Sequence, residues 1–272
     1  MMIMTTEKTK KKLAIIDADG LLFYAAWEYR DNMTKFGALA VKSKVDQIVN
    51  SILKKSGADC FIGFYGVKSS ATFRHAFATV RPYKGSRKSE PWQEYYKPII
   101  KEHFGEKWGF YGLSRLEADD AVIIAYHQYK DEYDLIMVGE DKDMHQMGGF
   151  TWYNPKDNST RYLTHEDGRK FYWCQHIEGD TADNITGIPG EGKKSKLKDR
   201  INELSPYNED EAFTMIRDFY INKHGEDYLY YLIENHILLT MVSKPSFDYP
   251  TQIKITDFKE QVLEEKLQKL NL

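Results

Sequence analysis

Apolar residues along the chain fall into two alternating rhythms. Short runs of β type occupy Leu13–Ile16, Cys60–Tyr65, Phe110–Leu113, Asp134–Val138, Phe150–Tyr153 and Thr160–Leu163. Between them, helical spacing marks Leu21–Tyr29, Val45–Lys55, Pro91–Phe104 and Glu117–Lys130. The last opens with Glu117, Asp119 and Asp120 before Ala, Val and Ile, as the positive end of a helix favours. Strands alternating with helices predict an α/β fold, a mostly parallel central sheet flanked by helices on both faces. From about Trp173 onward the pattern changes to helices and turns. The expected organisation is an α/β core over residues 1–175 and a helical region over 176–272. Asp227–Leu239, with Tyr and Leu at helical spacing, reads as packing against the core.

Composition narrows the class. A hydrophobic share of 42% with 14% aromatics is that of a folded protein with a sizeable core. Only Cys60 and Cys174 occur, without a CxxC, so a disulfide framework is not expected and a reducing cytoplasm suits the chain. No apolar run approaches the roughly 20 residues that span a bilayer, so no membrane partner is expected. Met1–Lys12 is polar and basic, lacks a signal-peptide pattern, and reads as a flexible leader. The net charge of −3 does not mark a nucleic-acid binder by itself, but the charges are segregated.

Acids stand where strands end, and in open α/β sheets ligands sit outside the carboxyl ends of strands. Asp17 and Asp19 follow the first run, and Asp141 and Asp143 follow Leu135–Val138. Glu117, Asp119 and Asp120 open a helix, and Asp180 and Asp183 open the helical part. Each group alone is also what a helix N-terminus attracts. As a set, carboxylates gathered at one sheet end would repel one another unless hard divalent cations such as Mg²⁺ or Mn²⁺ joined them. Two such ions about 4 Å apart suit an in-line phosphoryl displacement.

Cations concentrate elsewhere. Arg81, Lys84, Arg87 and Lys88 surround Tyr83 and Gly85, a pattern fit to clamp phosphates and stack a base on Tyr83. Gly187, Gly190 and Gly192 with Pro189 make a tight turn before Lys193, Lys194 and Lys196, with a helix expected from Lys193. Backbone N–H groups and lysines in that order fit a DNA phosphate, and the spacing is not that of a Walker A loop.

Taken in order, these segments resemble the 5′-nuclease superfamily: flap endonucleases, the 5′-nuclease domains of bacterial DNA polymerases, and phage 5′–3′ exonucleases. The resemblance rests on Ile15–Asp19 as the first strand motif, Thr72-Phe73-Arg74-His75, and Tyr83-Lys84-Gly85-Ser86-Arg87. It continues through Leu116–Asp120, Gly139–Asp143, and Gly179–Lys193 with its Gly-Ile-Pro-Gly, spanning about residues 13–200. It implies a PIN-like core and a helix–three-turn–helix. It also implies metal ligands at Asp17, Glu117, Asp119, Asp120, Asp141, Asp143, Asp180 and Asp183, with Asp19 as an outer ligand. Lys84 and Arg87 would contact the scissile phosphate. Arg74, Arg81, Tyr83, Lys88 and the 187–196 turn would bind DNA, the turn with a K⁺ ion held by main-chain carbonyls. The expected activity is hydrolysis of DNA at 5′ ends or flaps, extending to the RNA of RNA–DNA hybrids, by a monomer like the freestanding phage or bacterial members.

The chain departs from that pattern in two places. The family usually places an Asp after the second strand, where this chain reads Phe64-Tyr65-Gly66. Loss of that acid points to weaker metal binding, to recruitment of Asp19, or to a DNA-binding protein without catalysis. Little chain separates Arg87 from Glu117, so the arch around 81–110 is expected to be short.

Overall fold

The computed structural model describes residues 10–67, 72–205, 207–245 and 248–269. Most of the expected leader, Met1–Thr9, lies outside them. Strand β1 (Lys12–Asp17) runs between β2 (Cys60–Gly66) and β4 (Asp134–Val138), parallel to both. The short β3 (Tyr111–Leu113) extends the sheet in parallel beyond β2, and β5 (Phe150–Asn154) beyond β4. Antiparallel β6 (Ser159–Leu163) closes one edge, and β9 (Thr256–Asp257) pairs antiparallel with Cys60 and Phe61. Because β1 is central, alternation along it feeds both faces. Leu13 and Ile15 enter one core, Ala14 and Ile16 the other, and all four are fully buried.

One face is covered by α5 (Ala118–Tyr129), whose Ala121–Ala125 stretch is buried all round. A helix apolar on every side needs cover on both, and the C-terminal residues Met241 and Tyr249 supply the outer layer. The other face carries α1 (Asp19–Ala26), α2 (Lys35–Ser56) and α4 (Pro91–Trp108). Helix α2 starts at Lys35, not at Val45 as the pattern predicts. Thr34 caps it by accepting the Gly37 N–H at 3.2 Å, and its buried stripe of Gly37, Val41, Val45 and Val49 has only one large apolar residue before Val45. Helix α4 opens at Pro91 in a capping box between Glu90 and Gln93. Its buried residues Trp92, Tyr96, Ile100, Phe104 and Trp108 keep a four-residue repeat, so the helix lies along the sheet.

A third cluster joins α6 (His165–Glu178), α7 (Lys196–Glu203), α8 (Glu209–His224) and α9 (Tyr228–Leu239), with Tyr83 from the basic segment built into it. After α6, β7 (Gly179–Asp180) and β8 (Ile185–Thr186) form a two-residue ladder. Gly179 sits at φ 69°, and a side chain there would strike the backbone at Ile185 and Gly187. The helix expected from Lys193 starts at Lys196 instead, because Ser195 caps it by accepting the Leu197 N–H at 3.1 Å. Helices α3 (Phe73–Phe77) and α10 (Phe258–Lys269) complete the chain.

Candidate metal and nucleic-acid site

The carboxyl ends of β1 and β4 and the start of α5 bring acids together from three parts of the chain. Oxygens of Asp119, Asp141 and Asp143 lie within 4.8 Å of one another. Glu117, Asp119 and Asp120 form a second such set that shares Asp119. The acids fold back on local N–H groups: Asp17 accepts from Asp19 N at 3.0 Å, Asp141 from Asp143 N at 2.9 Å, and Asp119 from Asp120 N at 2.7 Å. Asp180 does the same with Ala182 N at 2.7 Å.

Crowding shows in the ionisation of these groups. Burial, then Asp19 and Asp141, holds the Asp17 carboxyl well above the ordinary carboxylate range. Burial, then Asp120 and Glu117, does the same to Asp119. Asp143 is pushed up to about 8 by burial and by Asp141, Asp180 and Asp183. The strand-end acids and the Asp180/Asp183 pair therefore share one electrostatic field. The donors are carboxylate oxygens, without a thiol or imidazole among them, and that set fits a hard divalent cation.

Helix capping does not account for Glu117. It is the N-cap of α5 yet makes no side-chain capping bond. Its oxygens instead accept from Arg74 at 2.8 Å, from the Tyr83 hydroxyl at 2.8 Å, and from Lys84. Burial opposes ionisation of Glu117, and Lys84 and Arg74 outweigh it, holding the carboxyl below its ordinary value. Asp183 accepts from Tyr83 at 2.6 Å and from Arg87, and its other near cation is Lys84 at 3.7 Å.

The basic segment is thus docked onto the acidic one. Lys84 N–H donates to the Asp183 carbonyl at 2.8 Å, Asn184 to the Pro82 carbonyl at 2.9 Å, and Arg87 Nε to the Ala182 carbonyl at 3.2 Å. Lys84 itself adopts φ 55°, a left-handed conformation that costs a non-glycine residue about 1 kcal/mol or more. The surrounding bonds hold it there with its ammonium on the acid cluster.

Two expected roles need correction, and a third residue has structural partners as well. Arg74 is not available to DNA: it has no solvent exposure and donates to Asp120, Glu117 and the carbonyls of Leu238 and Thr240. Tyr83 is 5% exposed, with its hydroxyl between Glu117 and Asp183, so no base can stack on it. Asp120 is fully buried, with its oxygens bonded by Arg74 and by Val242 N–H at 2.9 Å, and it still offers an oxygen within 4.8 Å of those of Glu117 and Asp119. Arg81, Lys88, Lys193, Lys194 and Lys196 are exposed, as DNA contact requires. Gly190, Gly192 and the three lysines line an open groove of about 620 Å³ together with Phe219. In the same turn Gly187 is half-buried, and a side chain there would strike the Ile177 carbonyl.

Three residues at the site escaped the sequence reading. Gln175 donates to Asp143 at 2.5 Å, Lys142 stands 3.7 Å from Asp180, and Lys101 donates to the Val67 carbonyl at 3.4 Å beside Asp19. Lys142 stands between two of the singled-out acids, and that position was the available signal. Gln175 and Lys101 lie inside helices with nothing local to mark them.

In its fold, the order of its motifs and its relatives the chain is similar to the 5′-nuclease superfamily. No family model matches the chain. It is 28% identical over 209 residues to DNA polymerase I of Bacillus subtilis (strain 168), covering 70% of this chain and 23% of that one. It is 24% identical over 198 residues to a 5′-3′ exonuclease of Mycoplasmopsis pulmonis (strain UAB CTIP), covering 68% and 64%. The chain therefore spans less than two thirds of either relative's length. Among solved structures, a bacteriophage T5 protein co-crystallised with metal ions superposes with a TM-score of 0.60 at 17% identity. The T5 flap endonuclease in complex with DNA and metal ions gives 0.59 at 19%. Each comparison covers 85% of this chain and 90% of the other, and at these identities the likeness is one of fold.

Proposed function

We propose that this chain is a divalent-metal-dependent 5′ nuclease that hydrolyses DNA phosphodiester bonds as a 5′–3′ exonuclease and at 5′ flaps, leaving 5′-phosphate products. The supporting observation is that oxygens of Asp119, Asp141 and Asp143 lie within 4.8 Å of one another, with Asp17 feeling the charge of Asp141 and with Lys84 and Arg87 paired to the neighbouring Glu117 and Asp183. Asp17, Asp119, Asp141 and Asp143 hold Mg²⁺ or Mn²⁺, with Glu117, Asp180 and Asp183 supporting through water or through the rim cations. When bound, two such ions activate water and neutralise charge on the attacking and leaving oxygens. Lys84 and Arg87 leave Glu117 and Asp183 to engage the incoming phosphate and stabilise its developing charge. The water oxygen forms a bond to phosphorus in line, the bond from phosphorus to the 3′ oxygen breaks, and a proton leaves on the 3′-hydroxyl.

The α/β core, residues 1–175, carries the chemistry. The region 176–272 grips duplex DNA through a helix–three-turn–helix, with phosphates on the 187–196 turn and K⁺ among its main-chain carbonyls. Exchange of K⁺ for Li⁺ should then weaken duplex binding. The same chemistry extends to RNA–DNA hybrids, and the chain acts as a cytoplasmic monomer.

Tyr65 favours one other reading, a DNA-binding protein of this fold without catalysis. Incubation with Mg²⁺ and 5′-end-labelled duplex DNA separates the two: the nuclease releases label and stops with EDTA, whereas a binder shifts the duplex without cutting it.

A further inference from the structure

We infer that Asp19 supplies the metal-binding carboxylate that the end of β2 lacks, reaching across from the neighbouring strand. This rests on the metal-dependent reading above and assigns a role within it.

The inference begins with where Tyr65 goes. Asp17 pairs with Phe64, so Tyr65 is the first residue of β2 beyond that register, at the carboxyl end where a strand-borne acid would enter the cluster. Its ring instead turns toward α4, 5.8 Å from the ring of Phe104. Glycines make room for it: a Cβ at Gly105 would come 3.3 Å from the Tyr65 hydroxyl, and one at Gly112 would come 3.0 Å from ring atom Cε2. The side chain is packed into a fitted slot and contributes no charge to the pocket.

Asp19 fills the gap from the other side. Ala18 N–H bonds the Phe64 carbonyl at 2.9 Å, which ties the start of α1 to the end of β2. From there the Asp19 side chain crosses to β2, and its Oδ1 accepts the Gly66 N–H at 3.0 Å. A Cβ at Gly66 would come 3.2 Å from Asp19 Oδ2, so that oxygen also lies against the strand end. Asp19 is solvent-facing and its charge is felt by the Asp17 carboxyl. One negative charge has therefore moved from β2 to α1 in sequence while staying at the β2 end in space. A carboxylate there adds an oxygen donor beside Asp17, on the side of the cluster where β2 offers none.

A purely structural Asp19 would serve the α1 N-terminus and the Gly66 N–H. Asn does both, since its amide oxygen still accepts that bond, so Asp19→Asn removes the charge alone. The test measures Mn²⁺ binding by electron paramagnetic resonance without DNA. It uses wild type, Asp19→Asn, Tyr65→Asp and the double variant, with Asp141→Asn as a control. Circular dichroism checks the fold of each.

The expected result is a loss of roughly tenfold or more in Mn²⁺ affinity for Asp19→Asn. Tyr65→Asp should restore affinity in that background and add much less to wild type, because the position is already filled. The Phe104 packing lost with Tyr65 is common to both backgrounds and cancels. Unchanged Mn²⁺ affinity in Asp19→Asn, or equal gains from Tyr65→Asp in both backgrounds, overturns the inference. If Asp141→Asn also leaves binding intact, the metal-dependent reading itself fails, and the two failures are thereby told apart.

Discussion

Arg74 and Asp120 form a two-pronged ion pair, at 2.5 and 2.8 Å, in which neither side chain is exposed to solvent. The guanidinium also ties Glu117 to the carbonyls of Leu238 and Thr240, so it joins the start of α5 to the end of α9. Removing one partner of such a pair strands a charge in the interior. Arg74→Ala should therefore lower unfolding free energy by about 3–5 kcal/mol, measured by urea denaturation. A variant of unchanged stability with weaker DNA binding would return Arg74 to the phosphate contacts.

The crowded carboxylates give the metal-free protein a pH dependence of definite sign. Asp143 has a native pKa of about 8, above its unfolded value. Its contribution to stability is complete below the unfolded pKa and is lost as pH rises through about 8. Metal binding competes with those protons and relieves the repulsion that replaces them. Added Mg²⁺ should raise Tm more above about pH 8 than near pH 5, as read by differential scanning calorimetry. An equal shift at both would mean that the acids do not share a cation.

Duplex binding through the 187–196 turn should be electrostatic and indifferent to sequence. Changing Lys193 and Lys194 to Ala should reduce the slope of log K against log salt by about one per lysine, equally for unrelated duplexes. Fluorescence anisotropy across a salt series measures it. An unaltered slope would move the DNA to another face.

The segment over the pocket is short. Between α3, ending at Phe77, and α4, starting at Pro91, the chain is docked onto residues 182–184, and α4 then lies along the sheet. A blunt duplex 5′ end should therefore be cut at least as fast as a long 5′ flap. A strong flap preference in parallel rate measurements would contradict this.

Much of this was legible in the sequence because it is local. The β4 run and the acids after it, and the acidic opening of α5, each carry their own signal within a few residues. The sheet followed from the alternation, although the first turns of α2 expose their largest apolar residues, Phe36 and Leu39, and bury Gly37, which obscures the helical stripe. What sequence could not give is the pairing of distant charges. Arg74 sits in a basic-looking motif, yet its partners come from α5 and from α9 and its following residue, and only the fold brings them to one buried point. Tyr83 looks like a free ring in sequence for the same reason: its hydroxyl partners, Glu117 and Asp183, lie far along the chain. Gln175 and Lys101 acquire meaning only once α6 and α4 are placed.

Asp141→Asn with Asp143→Asn tests the central claim most directly, because it removes charge from the shared pocket while keeping the shape of both side chains. Hydrolysis of 5′-end-labelled duplex by the double variant should be lost in Mg²⁺, with circular dichroism and duplex affinity unchanged. Undiminished cutting by the folded variant would show that these acids do not carry the reaction.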